Sequence, residues 1–353
     1  MAKKKIGILK KIIFWLLLIL LLSGGVAAYL GYRMVYLPNI FLGDKRSEII
    51  FIPTGSKFED VVSILKEGNI LKDEASFTRL AQLKKYKYNI RPGKYRILAN
   101  LNNNTLINLL RAGIQEPITL TFNNIRKKEQ LITIVCQKLE ADSTELHALL
   151  NDDQYLEEIF SLKHETILTA FIPNTYRFNW NTSAKQFMDR MKAEYNKFWN
   201  ADRKAKAKQL GLTQTEVSIL ASIVQAEQQQ FQGERPVIAS LYLNRLRIGM
   251  PLQSDPTIIY ALCDFSICRV LDKDKEVDSP YNTYLHTGLP PGPIYIPDIS
   301  SLNAVLTHPK NDYLYMCAKE DFSGKHNFAK TLAEHNRNAA RYRNALNKSK
   351  ILR

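Results

Sequence analysis

The residue in this chain best placed to do chemistry is Glu227. In "LTQTEVSILASIVQAEQQQFQGERPVIASLYLNRL", Leu220, Ile223 and Val224 recur at helical spacing, and Glu227 falls on the same stripe. A helix thus directs a carboxyl toward the face it buries, shortly before Gly233 interrupts the pattern. Two accounts fit that placement. In one, Glu227 forms a structural ion pair with Arg235 or Arg245. In the other, it is a general acid that must keep a proton. A free glutamic acid, with a pKa near 4.3, is only about 0.2% protonated at pH 7. An apolar setting that raises the pKa to about 6 gives roughly 10% protonation, at a cost of about 2.3 kcal/mol.

Two further stretches carry groups suited to sugar hydroxyls and N-acetyl groups. "RLRIGMPLQSDPTIIYAL" sets Gln253, Ser254, Asp255 and Thr257 around a Pro turn. "SPYNTYLHTGLPPGPIYIP" sets Asn282, Thr283 and Tyr284 ahead of a Gly-Pro-rich loop. Amide side chains both donate and accept. Tyrosine offers a flat apolar face with a polar tip. The candidate substrate contacts are Gln253, Asp255, Asn282 and Tyr284, with Glu234 and Asn244 from the helix that follows Glu227. The plainer account makes them turn residues, with Asn282 capping a turn and Glu234 capping or pairing at a helix start.

Other chemistries lack their residues. The six histidines form no HExxH, so no metal is expected and no cofactor is implied. No Gx[ST]xG elbow is present to expose a nucleophilic serine. "HPKNDYLYMCAKEDFSGKHNFAKTLAEHN" reads as a strand, a Ser-Gly turn and a final helix. His326 and His335 are structural in that reading, with His326 able to line a cleft. The four cysteines form no CxxC, though Cys263 and Cys268 are near enough in sequence to bridge a short loop in an oxidising compartment.

The elements that position these residues follow from charge and periodicity. The chain has 353 residues, 45% of them hydrophobic, so it can bury a core. Its net charge is +15. The first 46 residues hold eight Lys or Arg against one Asp, or +7 of that total, which leaves +8 for the other 307. The excess is therefore partly a membrane-topology signal. No basic-aromatic motif accompanies it, so nucleic acid is not an expected partner.

Five lysines precede an uncharged run from Ile12 to Tyr32. Twenty helical residues span about 30 Å, the thickness of the hydrocarbon core. With the lysines inside, residues 1–11 are a cytoplasmic tail, 12–32 a single-pass anchor in the inner (cytoplasmic) membrane, and the rest extracytoplasmic. The small residues of "GVAAY" suggest a cleaved signal peptide instead, but the run is longer than a usual signal h-region.

The expected fold is α+β. Residues 33–47 are a linker, 48–98 a small β-α-α-β module, and 99–117 a connecting segment with a short helix at 104–112. Residues 118–347 form a larger α-rich domain. It opens on the strand-like "ITLTF" and carries helical patterns at 127–139, 144–150, 184–198, 213–229 and 234–247. From 250 to 297 periodicity is lost, and Gly, Pro, Asn, Thr and Tyr crowd together as irregular cleft loops. "RKAKAKQ" at 203–209 reads as a solvated helix end.

In family order, "LASIVQAEQQQFQGERPVIASLYLNRLRIGMPLQSDPTIIYAL", "YNTYLHTGLPPGPI" and "LYMCAKEDFSGKHNFAKTLAEHN" resemble the MltG/YceG family of membrane-anchored endolytic murein transglycosylases. "AFIPNTYRF" is similar to that family's Phe-Pro-Asp-Thr-Tyr segment, with Asn174 in place of the Asp. The resemblance implies that the catalytic Glu at the end of an Ala-Ser-Ile-(Ile/Val)-Glu-x-Glu segment is Glu227, and that Gln225 stands where the segment has its first acid. It implies a LysM-like module at 48–98 and a YceG-type catalytic domain at 118–347. It further implies a lyase that cuts the MurNAc-GlcNAc bond of peptidoglycan glycan strands within the strand. That reaction uses no water and leaves 1,6-anhydroMurNAc, with one carboxyl acting as acid and then base. Peptidoglycan synthases are the candidate protein partners. A muramidase-type hydrolase, which needs a second carboxylate such as Glu234 or Asp255, is one alternative. A non-catalytic peptidoglycan-binding scaffold is another.

Overall fold

The computed structural model describes residues 2–348; Met1, where the expected cytoplasmic tail begins, and residues 349–353 lie outside the described residues. The chain divides into two compact units, residues 1–118 with 177–181, and residues 119–176 with 182–353.

The first unit begins with helix α1 (Ala2–Tyr36). Its Gly7–Tyr36 stretch is long and apolar enough to cross a membrane, and none of its apolar window is buried in protein. α1 continues past Tyr32 into the segment expected as a linker, because nothing in "RMVY" breaks a helix. It ends where Pro38 pushes Leu37 out of the helical region.

Strand β1 (Ser47–Ile52), helix α2 (Phe58–Glu67), helix α3 (Glu74–Leu83) and strand β2 (Gly93–Leu98) follow, in the order that periodicity predicted. The strands pair antiparallel, from Ser47 opposite Leu98 to Ile52 opposite Gly93. Alternation places Tyr95 and Ile97 of β2 on the core face. Phe58, Val61 and Leu65 of α2 and Phe77 and Leu80 of α3 close over them. Helix α4 (Asn103–Ala112) adds Leu106, Ile107 and Leu110 to the same core. Asn39 is buried in the turn after α1. Its amide nitrogen donates to Asp73 O (2.9 Å) and Asn103 Oδ1 (2.7 Å), and its oxygen accepts from Asp73 N (2.8 Å). One side chain thus ties the end of the apolar helix to α3 and α4.

The second unit is mainly helical. Strand β3 (Ile118–Thr121) leads to α5 (Lys128–Cys136), α6 (Ser143–Leu149) and α7 (Asp153–Phe160). Strand β4 (Thr175–Phe178), whose last two residues count with the first unit, precedes α8 (Ala184–Phe198), α9 (Ala201–Gln209), α10 (Gln214–Glu227) and α11 (Arg235–Arg247). Then come α12 (Asp255–Ala261), α13 (Ile299–Leu306), the hairpin β5 (Tyr315–Ala318) and β6 (His326–Ala329), and α14 (Leu332–Lys348). Every residue of α10 from Val217 to Gln225 is buried, so α10 is the central helix of this unit.

Several elements differ from the sequence expectation for local reasons. "RKAKAKQ" belongs to a helix of its own, α9, because Asn200 accepts from Arg203 N and caps it. Pro256 starts a helix, α12, where a Pro turn was expected; proline suits the first helical turn. Where one strand was expected there is a hairpin, since Tyr315 pairs with Ala329 and Ala318 with His326. Cys263 and Cys268 are exposed, unbridged thiols.

Candidate active site

Helix α10 starts at a reciprocal cap. Thr213 Oγ1 accepts from Glu216 N (3.1 Å), and the Glu216 carboxylate accepts from Thr213 N (2.8 Å). Fourteen residues later it ends at Glu227. Gln228 stops it, because the Gln228 side-chain oxygen accepts from Gln230 N (3.1 Å) and Phe231 N (3.0 Å) and turns the chain away. Glu227 is left at the lip of the core, facing a cavity of about 280 Å³ that Tyr242, Gln253, Asp255, Tyr284 and His326 also line.

The arginines expected as ion-pair partners of Glu227 are engaged elsewhere. Arg235 pairs with Asp298 at 2.8 Å and donates to Gln228 O at 2.8 Å. Arg245 donates to the carbonyls of Leu314 (2.7 Å), Leu252 (2.7 Å) and Pro251 (3.2 Å). Two hydroxyls hold Glu227 instead. Tyr242 donates at 2.7 Å and Ser254 at 2.5 Å, both to Oε1. Burial pushes the Glu227 carboxyl above its usual range. The Ser254 and Tyr242 hydrogen bonds pull it down, and the negative charge of Asp255 pushes it up again. The same burial, with Glu227 beside it, holds the Tyr242 phenol well above its ordinary value.

Two loops make one wall of the cavity. Ser254 N donates to Thr283 Oγ1 (3.0 Å), Gln253 N to Thr283 O (2.9 Å), and Thr257 Oγ1 to Ser254 O (2.7 Å). Tyr284 donates its hydroxyl to Asp255 Oδ1 (2.5 Å), and burial together with that carboxylate raises the Tyr284 phenol. Gln253 occupies the left-handed region at φ 52°, which costs a non-glycine residue about 1–2 kcal/mol. The Gly-Pro loop packs tightly at Gly292, where a Cβ would collide with Glu165 O.

The remaining sequence candidates divide. Glu234 is paired: it accepts from His326 N (3.1 Å), His326 Nδ1 (3.1 Å) and Gln228 Nε2 (2.9 Å). Burial raises its carboxyl, but these donors outweigh burial and hold it below the usual range. Through that pair it positions His326, which lines the cavity. Asn282 is fully buried, its amide spent on the carbonyls of Lys275 and Val277 (both 2.8 Å), and it lies outside the cavity lining. Asn244 donates to Asn311 O (2.9 Å) and Tyr313 O (3.1 Å), away from the cavity. Gln225 accepts from Asp298 N at 2.6 Å, a role that a carboxylate could also fill.

A sequence profile of the YceG-like family matches residues 50–341. The chain belongs to the YceG-like family. Over 308 residues it is 31% identical to a Bacillus subtilis (strain 168) protein named endolytic murein transglycosylase, covering 83% of this chain and 84% of that one. A protein of the same name from Streptococcus pneumoniae serotype 2 (strain D39 / NCTC 7466) is 28% identical over 367 residues, covering 95% of this chain but 65% of the relative. The solved structure of a yceG-like protein from Listeria monocytogenes superposes with a TM-score of 0.55 at 27% identity, over 83% of this chain and 99% of that one.

Within this YceG-like chain, Tyr242 is a carboxyl contact absent from the sequence candidates, whereas Ser254 was expected at the Pro turn and Arg245, expected as an ion-pair partner, lines the cavity instead. Tyr242 had a usable signal. Ile238, Ala239, Leu241, Tyr242 and Arg245 share the buried side of α11, and a buried phenol needs an acceptor.

Proposed function

We propose that this chain is a membrane-anchored lytic transglycosylase that cleaves the MurNAc-GlcNAc bond within peptidoglycan glycan strands. The observation that carries the reading is the setting of Glu227, a carboxyl with a raised pKa, no ion pair among the described residues, and two hydroxyls on a single oxygen. With Oε1 committed to Tyr242 and Ser254, Oε2 carries the proton. Glu227 gives that proton to the glycosidic oxygen as C1 of the muramyl residue becomes oxocarbenium-like, and the bond to the departing N-acetylglucosamine breaks. The Glu227 carboxylate then takes the proton of the muramyl C6 hydroxyl while O6 bonds to C1. The products are a free GlcNAc hydroxyl and a 1,6-anhydroMurNAc end, and Glu227 is protonated again.

Glu227 is the catalytic residue in this reading, with Gln253, Asp255 and Tyr284 facing the glycan and no metal or cofactor required. Glu234, Asn244 and Asn282 contribute by holding the walls, which suits their hydrogen bonds better than direct contact does. The names of the relatives support the activity. The apolar α1 and the N-terminal lysines support a single-pass anchor in the cytoplasmic membrane, with the remainder extracytoplasmic. The β-α-α-β order of residues 48–98 supports a LysM-like module that grips glycan, and peptidoglycan synthases are the fitting partners.

Asp255 supports a second reading. It is a second carboxylate in the cavity of Glu227, as a muramidase-type hydrolase requires. The end group decides. Purified protein is incubated with glycan strands and the new ends are weighed. Anhydromuramyl ends, lighter by one water, support the transglycosylase; reducing muramyl ends support the hydrolase. No cleavage leaves a binding scaffold.

A further inference from the structure

A cavity of about 410 Å³ opens in the first unit, between the end of α1 and the start of α3. Its apolar wall is Leu30, Met34 and Leu37, from α1 and the residue after it. Its polar wall carries three exposed cations, Arg33, Lys72 and Arg79. Among the described residues, none of the three has a carboxylate within ion-pair distance. The neighbouring acids are engaged: Asp73, which also lines the cavity, accepts from Ser76 N (3.0 Å), and Glu74 pairs with Lys66 (3.3 Å).

The depth of this cavity can be read from the helix. About 26 Å of helical rise separates Trp15 from Tyr32, close to one hydrocarbon thickness. Exposed Tyr29, Tyr32 and Tyr36 mark the outer interface, as aromatic belts do. The cavity lies level with them. Lys and Arg without carboxylate partners at this end, Lys72 lying over the Phe41 ring at 5.2 Å, also run against the topological bias set by the N-terminal lysines.

Taking α1 as the membrane anchor, we propose that this cavity binds the phosphate headgroup of an anionic phospholipid of the extracytoplasmic leaflet. Arg33, Lys72 and Arg79 face the phosphodiester, and an acyl chain lies along Leu30, Met34 and Leu37. Asp73 is tolerated because it serves as the cap of α3 and the three cations outnumber it. Such a lipid would hold the small module against the bilayer surface.

The test uses the full chain floated with phosphatidylcholine vesicles containing a minor share of phosphatidylglycerol, then extracted gently and its retained lipid measured by mass. The wild type retains phosphatidylglycerol in preference to phosphatidylcholine, and millimolar inorganic phosphate does not displace it. The triple variant Arg33→Gln, Lys72→Gln, Arg79→Gln floats and melts as the wild type does, but its retention falls about fivefold for each cation removed. Equal retention by the variant, no preference between lipids, or displacement by phosphate overturns the headgroup site alone. Failure of the wild type to float overturns the anchor, and the site with it.

Discussion

The Ser254 hydroxyl donates to Glu227 Oε1 across 2.5 Å, and α12 goes without a side-chain cap from that same serine. Serine at the start of a helix normally caps it, a contribution of about 1 kcal/mol. Here that hydrogen bond is spent on a carboxyl 27 residues back, at the edge of a cavity.

Ser254→Ala therefore leaves α12 intact and acts on the titration of Glu227. A hydrogen bond to a carboxylate favours its charged form, so removing it moves the pKa further up. A general acid works while protonated, so the alkaline limb of kcat/KM shifts to higher pH, with a loss of roughly tenfold or more in rate at the optimum. Asp255→Asn removes a charge that raises Glu227, so its limb shifts the other way. Limbs that move together or stay still would sink the assignment of Glu227 as the titrating acid.

Glu227→Gln lowers release of anhydromuramyl product by at least about 10²-fold. The fold survives, because the amide still accepts from Tyr242 and Ser254. Its stability effect has a definite sign. The folded pKa lies above the unfolded one, so at acid pH both states hold the proton and the variant gains nothing. As pH rises past the ordinary glutamate value, the unfolded chain ionises freely and the native chain does so at a penalty. The variant therefore melts higher than the wild type at pH 8, and the difference shrinks toward zero as pH falls to 4 and below. Thermal scans at both pH values check this.

Part of this site could be read without coordinates and part could not. Glu227 lies on the buried stripe because a period of 3.6 is local, and the β1-α2-α3-β2 order follows from patterns of the same range. Its hydroxyl partners sit 15 and 27 residues away, and no local pattern reports which hydroxyl meets which carboxyl. Asn282 and Asn244 show the converse. Their donor-acceptor pairs suit a sugar, but the same groups satisfy backbone carbonyls in irregular loops, where no ladder does so. The Glu234-His326 pair joins residues 92 apart, beyond any sequence window.

Glu234→Ala is destabilising by about 1–3 kcal/mol, because it strips the acceptor from His326 N and Gln228 Nε2. The folded pKa of Glu234 is depressed, so its contribution is present above the unfolded value and is lost as pH falls through the folded one. The difference in melting temperature is full at pH 7 and shrinks toward pH 3. A difference that does not change with pH would show that packing, rather than the ionised carboxylate, holds His326.

Gln253 separates strain from contact. Its φ of 52° is costly for any residue with a Cβ, and its side chain lines the cavity beside Glu227. Gln253→Ala keeps the strain and removes the amide. Gln253→Gly removes both, at the expense of a more flexible unfolded chain, an opposing term of about 0.4–1 kcal/mol. The glycine variant is thus expected to be about 0.5–1 kcal/mol more stable than the alanine one. If the amide grips the glycan, both variants raise KM by the same factor, about five- to tenfold for one lost hydrogen bond, with kcat nearly unchanged. Calorimetry and steady-state kinetics on the two proteins decide the matter. A wild-type KM in both would assign Gln253 to the turn alone, and glycan recognition would then fall to Asp255 and Tyr284.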